Sequence, residues 1–381
     1  MRLLFRAAVG STALILFLTL FPAALVRADY TATDLTPGGA AVAEALGASS
    51  SGQVGGVDVA GNVHAYLWNG AAPGTDLHPS GPGSGAPDSS LLFAMTATQA
   101  AGSTFTSGTS HAGLWTLAGS GFQLLPDSAY SDSQATAIAG SIIAGSGTTP
   151  GGIHALVWTN PSLAATDLHP GAGYSSSSVG GTDGVRVVGT AALNNATDDP
   201  HGALWNLSTS SFSDIHPATG FVNSNALSVA GGQVVGYGLQ DNSVASPATH
   251  AILWTLSGLN DSSIVATDIH PAGFEQSFAA ATDGSAIVGY ATDSSGFDHA
   301  ILWQSPTLTV DLSQFLTGDL VSSQALGIDA QGDIVGNATD SSGNQHAIQW
   351  SPTAVGVPEP ASAVLLGIAL GALLVRRRRG G

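Results

Sequence analysis

The apolar positions between residues 29 and 354 fall into short runs, each closed off by a cluster of Gly, Ser, Asp or Asn, and the runs recur. The clearest reads His299-Ala-Ile-Leu-Trp303. Its copies begin at His64, His111, His154, His201, His250 and His346. They end at Trp68, Trp115, Trp158, Trp205, Trp254 and Trp350, so the runs use every tryptophan in the chain. Successive tryptophans are 47, 43, 47, 49, 49 and 47 residues apart, a spacing that marks a repeat architecture. In a strand, His299, Ile301 and Trp303 share one face and Ala300 and Leu302 the other. Both faces are largely apolar, which places this strand in the interior with layers on each side. Ala or Gly follows the histidine in every copy, so one neighbouring layer must approach closely there.

Three further phrases complete each unit. One is Thr75-Asp76-Leu77-His78-Pro79, with close copies at 166–170, 213–217 and 267–271, an early one at 33–37, and looser ones at 122–126 and 309–312. Another is Ser-x-Ala-like, as in Ser224-Asn225-Ala226-Leu227. The last is a β-branched pair before glycine, as in Val234-Val235-Gly236. Four short runs separated by turn residues, with hairpin signals such as Asp293-Ser-Ser-Gly296 and Asp340-Ser-Ser-Gly343, read as four strands. No stretch of this region carries a capped helical period.

Naming the runs A to D, with C from His to Trp and D the Asp-containing phrase, exposes the arrangement of the ends. The chain opens on a lone D at 31–35 and closes on A, B and C, finishing at Trp350. The first strand is therefore the missing edge of the last unit. The expected fold is all-β: a seven-bladed β-propeller of four-stranded blades over residues 29–354, closed by the N-terminal strand completing the last blade.

Charge narrows the partners. Residues 29–357 hold 25 acids against one basic residue, Arg186, and the chain contains no Lys and no Cys. So acidic a surface repels nucleic acid and anionic headgroups, so no nucleic-acid partner is expected. Without cysteine, stability must come from packing and ring closure.

The two ends supply an address. Arg2 and Arg6, the apolar run 9–20, Pro22 and Val26-Arg27-Ala28 form a secretory signal peptide over residues 1–28. Residues 355–381 hold Pro358-Glu359-Pro360, fifteen uncharged residues at 361–375, and the run Arg376–Arg379. Fifteen helical residues at about 1.5 Å each are marginal for a bilayer of roughly 30 Å, and the arginines would stay cytoplasmic. This three-part tail resembles the PEP-CTERM sorting signal, in which a Pro-Glu-Pro motif, a short transmembrane helix and an Arg run are recognised by an exosortase. The resemblance implies a Gram-negative-type bacterium that makes exopolysaccharide, transient anchoring in the inner membrane, and removal of the tail. The mature protein would then lie at the cell surface or in the extracellular matrix. The repeat phrase in turn resembles the HAF-type extracellular repeat family. It departs in having no Phe after His-Ala, Gly202 after His201, and Asp-Leu-His-Pro in place of a Gly-rich phrase. That resemblance implies an exported repeat protein and brings no established activity.

The candidate chemistry is repetitive. All eleven histidines lie in the repeats: seven open C runs, and His78, His169, His216 and His270 precede proline in D runs. Once-per-blade histidines read as structural; the functional alternative is a ring of imidazoles about the axis that binds metal. Asp34, Asp76, Asp167, Asp214, Asp268 and Asp311 read as turn caps. The segments 329–333 and 293–298 faintly suggest calcium loops without a full ligand series. Residues that break the repeat are few: Arg186, Glu275 and Asp198-Asp199. No nucleophile elbow, phosphate loop or metalloprotease helix appears, so no catalytic residue, metal ligand or cofactor is assigned and no enzyme activity is expected. Four sequons, at Asn195, Asn206, Asn260 and Asn337, leave glycosylation open. The expected role is structural or carbohydrate-binding, in the envelope or exopolysaccharide matrix. The alternatives are a carbohydrate-active enzyme on a propeller scaffold and a calcium-dependent adhesion module.

Overall fold

The computed structural model describes residues 29–80, 87–119, 121–195, 199–241 and 247–353. The signal segment, Pro358, Glu359, Pro360, the apolar run and the terminal arginines lie outside the described residues. Among the described residues no helix is long and apolar enough to cross a membrane.

Residues Tyr30–Pro352 form seven four-stranded antiparallel sheets, the blades of a propeller. Blade 1 has strands A (Ala43–Ser49), B (Gly52–Val59), C (Asn62–Trp68) and D (Thr75–Asp76). Blades 2 to 6 follow in order over residues 89–124, 133–167, 174–214, 225–268 and 276–311. Blade 7 takes A, B and C from Leu320–Ile328, Ile334–Asp340 and Gln345–Pro352. Its D strand is Tyr30–Asp34, paired antiparallel with Gln345–Pro352 from Tyr30 opposite Pro352 to Asp34 opposite Ile348. The N-terminal strand therefore closes the ring. Outer D strands are short, from two residues at Thr75–Asp76 to six at Ser263–Asp268, which limits the edge offered to other chains.

The recurrent phrases explain the blade from within. Each A strand carries a bulge whose extra residue is Leu46, Phe93, Thr136, Gly180, Leu227, Ala280 or Leu326. These seven residues line a central cavity of about 340 Å³. Facing every bulge is a B-strand glycine, which follows the β-branched pair in blades 4 to 7 and holds the same register in blades 1 to 3. A Cβ added at Gly55, Gly102, Gly145, Gly189, Gly236, Gly289 or Gly336 would lie only 1.9–2.1 Å from a carbonyl oxygen of the A strand. No side chain fits there, and the glycine is a packing requirement.

Between blades, the two faces of the C strand do what alternation demands. Ile301 and Trp303 cluster with Ala251 and Leu253 of the preceding blade. Six of the seven tryptophans are at most 1% exposed, and Trp205 is 4% exposed. The small residue after each histidine receives the next blade: Ala300 N–H donates to Ser323 Oγ at 3.1 Å.

Candidate functional site

The residues that dominate the repeat meet at the seams between blades. In blade 1, His64 Nδ1 lies 2.8 Å from Asp76 Oδ2, while Asp76 Oδ1 accepts the His78 backbone N–H at 2.8 Å. The two imidazoles stack with centroids 4.1 Å apart. His78 Nε2 faces the Pro87 carbonyl at 3.1 Å and must donate to it, so Nδ1 accepts from Ser90 Oγ at 2.8 Å. Ser90 Oγ in turn accepts the Ala65 N–H at 2.9 Å. One chain of bonds thus ties strand C, strand D and the A strand of the next blade.

Blades 3, 4 and 5 repeat this set with His154, Asp167, His169 and Ser177; His201, Asp214, His216 and Ser224; and His250, Asp268, His270 and Ser277. Their histidine–aspartate distances are each 2.7 Å, and their rings stack at 4.1, 4.0 and 3.9 Å. The serines are 0–2% exposed. Burial holds His78, His169, His216 and His270 below the usual imidazole range, and the stacked partner histidine adds to the effect.

The other three blades keep the link by substitution. In blade 2, Leu124 occupies the aspartate position, and Asp127 bonds both His111 Nδ1 at 2.9 Å and Ser133 Oγ at 2.7 Å. In blade 6, His299 bonds Asp311 at 2.9 Å, and Ser313 replaces the second histidine, 2.9 Å from Ser323. In blade 7, His346 bonds Asp34 at 2.8 Å across the closure, and Thr36 accepts the Ala347 N–H at 3.0 Å. The histidine–aspartate pairing was not read from the sequence. Its signal was there: every C-run histidine but that of blade 7 is followed within 12 to 18 residues by a carboxylate, in the D phrase or, in blade 2, just after it. Six of the seven tryptophans also donate their indole N–H across a seam, as Trp254 does to Ile215 O at 2.6 Å.

The imidazoles do not ring the axis; they sit on the C strand of each blade and, in blades 1, 3, 4 and 5, also just past the end of the D strand. Among the described residues, no group of three or more His, Asp or Glu could hold a metal ion. The suspected calcium loops are hairpin caps. Asp329 Oδ1 accepts from the backbone N–H of Gln331 and Asp333, and Asp293 Oδ1 from those of Ser295 and Phe297.

Arg186 is likewise committed. It binds Asp261 through two bonds of 2.9 and 2.8 Å and Asp183 through a third of 2.9 Å. Glu275 contributes its backbone N–H to Thr292 O, and Asp198 lies outside the described residues. Two sequon asparagines are withdrawn from solvent: Asn206 is 6% exposed and bonds Asp261, and Asn337 is 8% exposed.

No protein-family model matches the chain, and no curated protein matches it. Solved structures do. The β-propeller domain of the Trilobed protease from Pyrococcus furiosus, described as having an open velcro topology, is 9% identical over 82% of this chain and 93% of that one, with a TM-score of 0.54. An oligogalacturonate lyase from Vibrio parahaemolyticus is 11% identical over 86% of this chain and 94% of its own, at a TM-score of 0.56. A puromycin-hydrolysing peptidase from Mycobacterium tuberculosis is 12% identical over 87% and 55%, at 0.54. At such identities the likeness is one of fold.

Proposed function

We propose that this chain is an exported, non-catalytic propeller that binds polysaccharide or lends structure in the envelope or exopolysaccharide matrix. The observation that carries this reading is the commitment of the repeated polar residues. Histidines, aspartates and buried serines are joined to one another and to backbone at the seams, so these groups are engaged in holding blade to blade. The acidic balance, with 25 acids to one arginine in residues 29–357, suits solubility outside the cell and contact with uncharged polymers.

Delivery belongs to the two ends. We read residues 1–28 as the export signal and 355–381 as a PEP-CTERM tail, with Pro358, Glu359 and Pro360 presented to an exosortase-type enzyme while the apolar run is held in the inner membrane. The HAF-type repeat resemblance fits the same extracellular address. The test is a glycan array probed with the mature chain, with and without calcium, followed by sizing of any polysaccharide it binds. Binding with polymer length unchanged is the expected outcome. Shortening of the polymer would establish the carbohydrate-active enzyme instead, and calcium-dependent binding the adhesion module.

A further inference from the structure

Strands C and D of blades 3 and 4 make up part of the outer wall of the propeller. Between blades 3 and 4 a groove of about 570 Å³ opens, within the usual range for a ligand site. Its cause is local. The connection after Trp158 turns Leu163 inward, at φ 53° and 5% exposed, into the cluster on the blade 2 side. The D strand that follows is only three residues, Ala165–Asp167. Val157 also stands where five other C runs have leucine (Leu67, Leu114, Leu204, Leu253 and Leu302), so less side chain fills the seam.

The groove has two kinds of wall. Phe212 lines one side, 5.6 Å from Trp205 and 5.2 Å, edge-on, from Tyr174, which fixes its ring. Thr159, Thr166, Asp167 and Ser211 supply oxygens. A held aromatic ring beside several hydroxyls matches the two surfaces of a sugar, apolar C–H faces and polar rims. Charge selects among sugars. The single arginine in residues 29–357 is bound to Asp261 and Asp183, so the surroundings repel uronate or sulfate chains. A three-residue edge is too short to template an added peptide strand, which leaves side-chain contacts to do the recognition.

We propose that this groove binds an uncharged polysaccharide chain, its rings laid on Phe212 and its hydroxyls bonded to Thr166, Asp167 and Ser211. The assignment rests on the polysaccharide-binding reading above and locates it.

The test is calorimetric titration of the intact purified chain with laminarihexaose, cellohexaose, mannohexaose and oligogalacturonate. At least one neutral hexasaccharide should bind and oligogalacturonate should not. Phe212→Ala should weaken binding by about tenfold, the effect of losing one aromatic contact. Val157→Leu restores the residue found in other blades and adds one methylene to the groove wall while keeping the fold, so it should weaken binding at an unchanged melting temperature. Phe122→Ala removes the equivalent ring of blade 2, which sits 4.7 Å from Trp115, and should leave affinity unchanged. Neutral-sugar binding that survives both groove variants overturns this site and leaves the general function standing. Preference for oligogalacturonate overturns this site and leaves polysaccharide binding standing, whereas no binding to any of the four sugars, or capture of an unstructured peptide in their place, overturns both the site and the polysaccharide-binding reading.

Discussion

The seam between blades 5 and 6 and the seam between blades 7 and 1 solve the same problem with unequal completeness. In the first, His250 bonds Asp268, His270 stacks on His250 and bonds Ser277, and Ser277 receives the Ala251 N–H. Trp303 donates to Ile269 O at 2.8 Å, and Leu253 packs beside it. The closing seam keeps the histidine–aspartate bond, although His346 and Asp34 are 312 residues apart. It then loses most of the rest. Thr36 stands in for both the second histidine and the serine, Trp68 Nε1 has no partner, and Gln349 replaces the packing leucine with its Oε1 unpaired. Two of the three buried side-chain atoms without a partner among the described residues therefore lie at the closure; the third is Ser103 Oγ. The difference separates what holds the ring from what refines it. Strand pairing and the histidine–aspartate bond are retained where the chain ends must meet, and the remaining bonds are dispensable there.

The largest effect should come from removing the closing strand. Deleting residues 29–37 takes away the whole ladder to Gln345–Pro352, the fully buried Leu35, the Asp34–His346 bond and the Thr36 bond. The deleted protein should melt far below the intact chain and self-associate through the exposed C strand of blade 7. Thermal melting with light scattering reads both. A deletion variant that stays monomeric and melts normally would show that closure contributes nothing.

This closure was legible in the sequence because it is a matter of counting: one unmatched D phrase at the start and one missing at the end. The blade was legible too, since alternation in the C run and the flanking turn residues are local signals. The site was not. Ser90 bonds Ala65 and His78, which belong to the preceding blade, and nothing in a repeat read by itself says which blade its serine serves. Blade 2 shows the same limit from another side. Its D phrase looks degenerate because Leu124 has displaced the aspartate, yet Asp127 restores both bonds from three positions further on. Compensation through space leaves no periodic trace. The open seam at Val157 was hidden for a similar reason: one methylene and a short edge strand make a groove only once the blades are packed.

A second comparison tests the refinement. Trp254→Ala in an inner seam removes a fully buried ring and should cost about 3–5 kcal/mol. A loss below about 1 kcal/mol would mean that the rings are not core. Gln349→Leu in the closing seam should act in the opposite direction. It restores the leucine of the inner seams and removes a buried amide oxygen without a partner, and the loss of the Nε2–H bond to Ser351 Oγ offsets part of this, for a net gain of about 1 kcal/mol by chemical denaturation. If Gln349→Leu destabilises the chain, that amide is satisfied in solution and the closing seam is as complete as the others.

The smallest effect per residue distinguishes the stacked seams from those without a second histidine. His78, His169, His216 and His270 are held below the ordinary imidazole range, first by burial and next by the facing His64, His154, His201 and His250. Asp76, Asp167, Asp214 and Asp268 oppose this, joined by Asp199 at His216 and Glu275 at His270. Because the folded form binds these protons less readily than an unfolded imidazole near about pH 6.5, stability is complete above that value and declines as pH falls through it. Asp268 is shifted down despite its burial, by bonds from His250 and the His270 backbone, so its own contribution is lost only at more acid pH, below the carboxylate range. Melting temperatures should therefore drop as pH falls below about 6.5. Blade 6 provides the control within the molecule, since Ser313 already replaces the second histidine there. Changing His78, His169, His216 and His270 to serine together should flatten the slope in this window while leaving the more acid transition in place. A slope that persists in the fourfold variant would move the proton-sensitive groups elsewhere in the propeller.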